Sequence, residues 1–246
     1  MSLQDELMRH QVLLMRLVKT QAGLTRDYLR QAEAITMEAI QNNSYVFLRQ
    51  RLEELIGPMA EDAINQINDL ALYETEYTVK KIRKYIRGRR NLKIPVDSWV
   101  LENVKDLTVS TSVDRPSDTI KSTYINFFET KVNQVMNTVN RFSDEDDVDL
   151  EDSVSNMFGG LFNVQNLALA GVAVIGAANA MRSGVVEYAN DTQPEEKTLY
   201  VKWVTMLDAN VCPDCEEMEG QTFVAGEEPD DIPLHANCRC TWDIVE

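Results

Sequence analysis

Every cysteine in the chain, and one of its two histidines, lies in one stretch near the end of the sequence. Cys212 and Cys215 form a Cys-x₂-Cys pair, and His235, Cys238 and Cys240 follow further along. Structural Zn²⁺ takes four thiolate or imidazole ligands in a tetrahedron, and a Cys-x₂-Cys turn supplies two of them from one tight loop. The pattern therefore predicts a structural zinc site that has five candidate ligands for four coordination positions.

The second half of this pattern is a Cys-x-Cys pair in an extended segment. Side chains of an extended chain alternate between two faces, so Cys238 and Cys240 are expected to point the same way while Arg239 points away. Both thiolates can then meet a metal that Cys212 and Cys215 hold from the other side. Whether the fourth ligand is His235 or one of the paired cysteines stays open at the level of sequence.

Two other states of the cysteines compete with a metal site. Two disulfides would use the same four residues, and buried free thiols are the third alternative. The first residues are polar and acidic, without the basic start and apolar run of an export signal, so we expect a reducing compartment in which metal is favoured over disulfides. The clustering of all four cysteines in turn-rich sequence argues against unrelated buried thiols.

Composition predicts a mainly α fold. The chain has 246 residues, a hydrophobic fraction of 44% and few glycines and prolines, and long stretches of it are rich in good helix formers. We expect a helical body of long amphipathic helices followed by a small α+β, zinc-stabilised C-terminal module. The net charge of −16 disfavours a general DNA-coating role, because non-specific affinity for nucleic acid comes from cations that neutralise phosphates.

Apolar residues at helical spacing predict the helices of this body. One or two helices are expected over residues 3–55 with breaks at 23–25 and 42–44, and Ser44 is expected to cap the helix after the second break. Further helices are expected over 58–87, with Tyr73 on its inner face, over 98–107 and over 119–142. A strand or irregular segment is expected over 108–113, and residues 143–152 carry seven carboxylates and predict a solvated linker. The predicted domains are therefore 1–142, 143–152 and 153–246.

A basic run at the end of the second long helix is the one credible phosphate-facing patch in this acidic chain. The alternative is a solvated helix end whose cations complement the helix dipole. The candidate contacts to DNA or to an acidic neighbouring subunit are Lys80, Lys81, Arg83, Lys84, Arg87, Arg89 and Arg90.

An uncharged stretch over residues 153–181 has a centre that is apolar on all sides. We expect a fully buried helix there, because the apolar centre is shorter than the ~20 residues that a membrane-spanning helix needs. Association of this helix with a membrane is the alternative. Beyond it, residues 198–206 and 239–245 alternate like strands that pair with each other, with the cysteine loops at one end.

The residues around the cysteines resemble the C-terminal domain of the phage Mu protein F-like head morphogenesis family over roughly residues 165–246. The resemblance rests on a Trp-x-Thr strand at Trp203, an Asp before Cys-x₂-Cys, a Gly-x-x-Phe turn at Gly220, and Pro-x-His-x-x-Cys-Arg-Cys from Pro233. Ala236 stands where members commonly have Pro, and Arg182-Ser183-Gly184 where they often have Arg-Thr-Glu.

The resemblance implies a non-enzymatic minor head protein of a tailed bacteriophage that acts in head morphogenesis. It implies the portal protein, the major capsid protein or both as partners, a place in the virion inside the head or at the portal vertex, and packaging and ejection with DNA as a further expectation. The long amphipathic N-terminal stripe also permits association into a homo-oligomer. The enzyme alternative is a zinc-containing nuclease of the histidine-metal type, since Asp230 and Asp231 lie near His235. Four thiolates favour a closed, structural site over a catalytic one. A DNA-binding zinc ribbon is disfavoured, because Arg239 is the single cation between Cys212 and Cys240.

Overall fold

The computed structural model describes residues 3–105, 107–109, 118–142, 149–160, 165–206, 211–229, 232–235 and 237–246. These residues are mainly helical, with two small antiparallel sheets. The helices are α1 Leu3–Gln41, α2 Leu48–Glu53, α3 Ile56–Tyr85, α4 Val96–Lys105, α5 Ile120–Phe142, α6 Leu150–Gly160, α7 Asn166–Thr192 and α8 Pro213–Met218. The strands are β1 Thr108–Val109, β2 Asp118–Thr119, β3 Tyr200–Val204, β4 Thr222–Val224 and β5 Thr241–Val245. The predicted helical chain with a small C-terminal strand region is confirmed.

Helix α1 is continuous, so the predicted break at residues 23–25 is wrong. Glycine inside a helix costs about 1 kcal/mol relative to alanine, and burial of the flanking Gln21, Ala22 and Thr25 outweighs it. The second predicted break is confirmed, and Asn43 takes the left-handed conformation there with φ 47°. Phe47, not Ser44, is the N-cap residue of α2.

Helix α3 begins two residues before Pro58, which lies in the first turn, where a missing N–H costs nothing. Its predicted inner face is wrong at Tyr73, which is 44% exposed, whereas the neighbouring Glu74 is fully buried. Helices α4 and α5 confirm the helices predicted over 98–107 and 119–142. Asp118 lies in β2, and the predicted segment 110–113 lies outside the described residues.

Only part of the predicted acidic linker lies in the described residues. Residues 143–148 lie outside them, and Asp149 caps α6 by accepting a hydrogen bond from the Asp152 backbone N–H at 3.0 Å. Glu151 and Asp152 lie in the first turn of this helix, where carboxylates are favourable next to the positive end of the helix dipole. Residues 150–152 are therefore helical and do not form a linker.

The chain divides into two compact units that alternate along the sequence. The first unit comprises Met1–Val18, Gln66–Thr119 and Gly171–Glu246, and the second comprises Lys19–Asn65 and Ile120–Ala170. The predicted domains are consecutive segments, and their boundaries stay a prediction.

The second unit has a helical core in which α5 contacts α2 and α6. Tyr124 and Phe128 are its largest fully buried aromatic side chains on α5, and Leu52 of α2 is fully buried too. The Tyr124 hydroxyl accepts a hydrogen bond from Gln21 Nε2 at 3.0 Å, so the buried polar groups of both side chains are paired.

The first unit contains the C-terminal sheet, whose strand order is β4-β3-β5. The predicted pairing of β3 with β5 is confirmed, and Trp203 lies directly opposite Trp242. Their rings meet edge to face with centroids 5.1 Å apart, and Phe223 of β4 lies 6.0 Å from Trp242. The aromatic residues of the quoted motifs thus pack together on one face of the sheet, where such pairs add to the burial energy.

Helix α7 is the one helix within the described ranges that is long and apolar enough to cross a membrane by length and composition, and 83% of its most apolar window is buried in the fold. The predicted buried helix is confirmed, although it extends to Thr192.

Gly184 explains one departure from the family pattern. A Cβ at this position would lie 3.1 Å from the Trp99 ring, so a larger residue would force that ring to move.

Candidate metal centre

The first pair of candidate ligands lies at the start of α8. Cys212 is extended, with φ −78° and ψ 158°, and its Sγ accepts a hydrogen bond from the Cys215 N–H at 3.3 Å. Pro213 occupies the first turn, which suits its fixed φ and missing N–H. The predicted tight loop is therefore a helix N-terminus in which a thiol takes the capping role, and this places both sulfurs on one side of the turn.

The second set of candidate ligands lies on a turn that leads into β5. The Cys238 N–H donates to the His235 carbonyl at 3.0 Å, and Asn237 takes a left-handed conformation with φ 67°, which asparagine tolerates better than most residues. Pro233 follows a cis peptide bond. The turn directs His235 back toward Cys212 and Cys215.

The five candidate side chains converge around Cys215. His235 Nε2 lies 3.0 Å from Cys212 Sγ and 3.4 Å from Cys215 Sγ, and Cys215 Sγ lies 3.7 Å from Cys238 Sγ. The ligand atoms of Cys212, Cys215 and His235 lie within 4.8 Å of one another, as do those of Cys215, Cys238 and Cys240. Cys238 and Cys240 therefore face the same side, as alternation predicts.

These separations fit a tetrahedral metal. With Zn–S of about 2.3 Å and Zn–N of about 2.0–2.1 Å, a tetrahedron places two sulfurs about 3.8 Å apart and a sulfur and a nitrogen about 3.6 Å apart. The 3.7 Å and 3.4 Å separations match these edges closely, and the 3.0 Å separation is somewhat short. A cavity of ≈ 20 Å³ lies among these residues. The Cys/His cluster can therefore hold a metal ion.

All four cysteines lie within the described residues, and each is a free thiol. The 3.7 Å between Cys215 and Cys238 Sγ is far longer than a disulfide bond of about 2.05 Å. Cys215, Cys238 and Cys240 are buried, and Cys212 and His235 are half-buried. A cation bound among these side chains would be largely shielded from bulk water.

The thiols differ in their readiness to ionise. Burial raises the pKa of Cys212, but hydrogen bonds from Cys215 and the nearby His235 outweigh it, and the net pKa is lowered. A hydrogen bond from the Cys240 thiol lowers the pKa of Cys238 to about 5, although burial opposes this. Burial and the Cys238 charge raise the pKa of Cys215, and donation to Cys238 together with burial raises that of Cys240. The pKa is thus lowered for Cys212 and Cys238 and raised for Cys215 and Cys240. Thiolate is the form that binds metal.

The donor set has the chemistry of a closed site. Sulfur and imidazole ligands select zinc among the common divalent ions, and four of them leave no position for water or substrate. Asp230, Asp231 and Ala236 lie outside the described residues. His235 faces two sulfurs and is thus engaged with the site rather than placed as a separate base.

Three cations of the predicted basic patch bind the protein's own groups. Lys81 is 5% exposed and donates to Asp243 Oδ1 at 3.1 Å. Arg83 donates to the Leu92 carbonyl at 2.6 Å. Arg89 is 1% exposed, and its guanidinium donates to the backbone carbonyls of Ala189, Gln193 and Lys197. Lys81 and Arg89 therefore have structural roles in this fold, which the sequence pattern did not reveal.

The remaining members of the basic patch are exposed. Lys80 pairs with Glu76 and Lys84 with Glu6, each at 3.4 Å. Arg87 and Arg90 are exposed on either side of Gly88, whose φ of 90° makes the turn. The phosphate contact predicted for Lys80, Lys84, Arg87 and Arg90 stays a prediction.

A buried ion cluster, which the sequence reading missed, joins three helices to β5 within the first unit. Glu74 is fully buried and binds Arg182 Nε at 2.5 Å and His10 Nε2 at 2.6 Å. Arg182 also donates to the Thr241 hydroxyl and, at 3.3 Å, to the Trp242 carbonyl. Burial alone would raise the pKa of Glu74, but Arg182 and His10 outweigh it and the pKa is lowered. The buried carboxylate therefore stays charged.

The fold and the site together define a mainly helical protein that ends in a compact sheet carrying a Cys/His metal-ligand cluster. Residues 165–243 match the family model described as Phage Mu protein F like protein, and this segment contains all five candidate ligands. The match confirms the predicted resemblance to this family over the C-terminal part of the chain. No curated protein and no solved structure matches the chain.

Proposed function

We propose that this chain is a non-enzymatic minor head protein of a tailed bacteriophage, whose C-terminal module is held together by one structural Zn²⁺. The observation that carries the proposal is that the family match and the cluster of candidate ligands lie in the same segment of the chain. The segment that matches is the one in which thiols and an imidazole converge at tetrahedral separations. A structural metal suits a sheet of three short strands, because so small a unit supplies little stability on its own.

The ligands that we assign to the metal are Cys212, Cys215, His235 and Cys238. Cys215, His235 and Cys238 have contacts at distances close to a tetrahedral edge, and Cys212 Sγ lies 3.0 Å from His235 Nε2. Cys240 is assigned a supporting role, in which its thiol donates a hydrogen bond to the Cys238 thiolate. Such a partner orients a ligand and tunes its basicity without binding the metal.

The assembly that we propose for this chain is the head interior or the portal vertex, with the portal or the major capsid protein as partner. The helical segment 1–142 is proposed to supply the surface for that partner, and 153–246 the zinc-stabilised domain. Exposed cations at Lys80, Lys84, Arg87 and Arg90 are the proposed contact to packaged DNA or to an acidic neighbour. We also propose that a protein in the head interior or at the portal vertex is packaged with the genome and ejected with it.

The test is the composition of heads made by the phage or prophage that carries this gene. Mass spectrometry of purified, DNA-filled heads is expected to find the chain in them, and an amber mutation in the gene is expected to yield defective heads while tails assemble normally. Supplying the protein from a plasmid serves as the control. Heads that lack the chain and assemble normally without it would contradict the proposal.

A further inference from the structure

We propose that Gln11 of α1 is a positioning residue of the metal centre, so that metal binding and the packing of α1 residues 3–18 stabilise each other. This inference rests on the zinc site proposed above. It adds to that site a residue far outside the segment that matches the family.

Gln11 holds the backbone between two cysteines of the site. Its Nε2 donates to the carbonyl of Arg239 at 3.0 Å, and Arg239 lies between Cys238 and Cys240. The Gln11 side chain is fully buried. Its Oε1 has no hydrogen-bond partner among the described residues, so within that part of the chain the side chain bonds through Nε2 to the metal-site backbone. Burying an amide whose oxygen has no hydrogen-bond partner costs free energy. The bond from Nε2 to the Arg239 carbonyl is therefore the contact to which a role can be assigned.

The Cys-x-Cys segment needs such a support because it lies outside the sheet. The β3–β5 ladder begins with the pairing of Val204 and Thr241, after the last cysteine. The carbonyl of Cys240 is instead held by Asn179 Nδ2 of α7 at 3.4 Å, while Asn179 Oδ1 accepts from the Trp242 N–H at 2.8 Å. Side chains from two helices thus fix successive carbonyls, Gln11 from α1 and Asn179 from α7.

Fixing these carbonyls sets where the Cys238 sulfur lies. Groups that orient metal ligands typically change metal affinity by 10–100-fold when they are removed. Coupling between two binding events is reciprocal, so a contact that tightens metal binding is itself strengthened when metal is bound. Metal loading is therefore expected to hold the start of α1 against the C-terminal module within the first unit.

The test compares metal affinity in wild type, Gln11→Met and Gln21→Met. Methionine preserves shape and, at position 11, removes the unpaired Oε1 together with the bond to Arg239, which partly offsets the cost of leaving the Arg239 carbonyl without this donor. Gln21 is the matched control, since it is buried on the same helix but donates to Tyr124 and Ala63. Co²⁺ binding followed by its visible d–d bands, then Zn²⁺ competition, is expected to show about tenfold weaker binding for Gln11→Met and no change for Gln21→Met.

Equal affinity in wild type and Gln11→Met would overturn the inference while leaving the zinc proposal intact. Absence of Co²⁺ and Zn²⁺ binding in wild type would overturn the zinc proposal and the inference together. A second measurement needs no variant: hydrogen exchange of wild type is expected to show greater protection of residues 3–18 with zinc than with a chelator. Unchanged protection would overturn the coupling.

Discussion

Replacing Cys215 with serine is expected to unfold the C-terminal module while most of the helical signal remains. Cys215 is the member shared by both groups of candidate ligands, and without it the two remaining pairs, Cys212 with His235 and Cys238 with Cys240, form no close group of three or more ligand atoms among the described residues. Structural zinc contributes on the order of 10 kcal/mol to small folds of this kind, which is more than the whole stability of many domains. The aromatic contacts of Trp203 and Trp242 should be lost with it.

The measurement is near-UV and far-UV circular dichroism, combined with limited proteolysis mapped by mass spectrometry. Cleavage sites are expected within residues 200–245 of the Cys215→Ser protein and not of wild type. Cys240→Ser is the matched control, because we assign that residue a supporting role and a serine hydroxyl can still donate a hydrogen bond. A Cys215→Ser protein with wild-type near-UV signals and protease resistance would refute the structural role of the metal. Loss of helical signal along the whole chain would show that the stabilising effect of the metal is not limited to this module.

Replacing Glu74 with glutamine is expected to destabilise the protein by about 3–5 kcal/mol at pH 7, because it leaves Arg182 as a buried cation without a counter-charge. Arg182 is 2% exposed and Glu74 is fully buried, so solvent cannot compensate. Glu76→Gln is the matched control on the same helix, since Glu76 forms only an exposed pair with Lys80. That pair is worth little, and the control should stay close to wild type.

The effect of Glu74→Gln is expected to depend on pH with a defined sign. The folded pKa of Glu74 is lowered from its ordinary value of 4.5, so its ionisation stabilises the fold above that value and the contribution is lost as pH falls through the folded pKa. Urea denaturation of wild type and variant should therefore give a stability difference that is largest near neutral pH and shrinks in acid. A difference that is absent at pH 7, or that grows in acid, would show that the ion cluster does not work as described.

The candidate ligands were predictable from sequence because their spacing is a local property. A Cys-x₂-Cys pair and a Cys-x-Cys pair each fix their sulfurs through the backbone that joins them. Helix α8 and strand β4 were not predicted, since elements of six and three residues carry too little periodicity to stand out. The pairing of β3 with β5 was predictable because alternation and the flanking motifs agreed.

The residues that support the site could not be predicted, because their partners are distant in sequence. His10 and Gln11 lie on the apolar stripe of α1 between Leu7 and Leu14. Their position on this stripe is the one local sign that these polar side chains are buried with partners. The partners themselves, Glu74 and the Arg239 carbonyl, come from other elements. The phosphate contacts predicted for Lys81 and Arg89 have the same origin. A run of charges in the sequence does not show that these two side chains are buried.

The central claim is that the C-terminal module holds one structural zinc ion, and the most direct test is the metal content of the purified full-length chain by inductively coupled plasma mass spectrometry, with thiol titration of the same sample. We expect about one zinc per chain, with thiols that react only after denaturation, and the same ratio in Cys240→Ser. A chain without metal and with four freely reactive thiols would contradict the account.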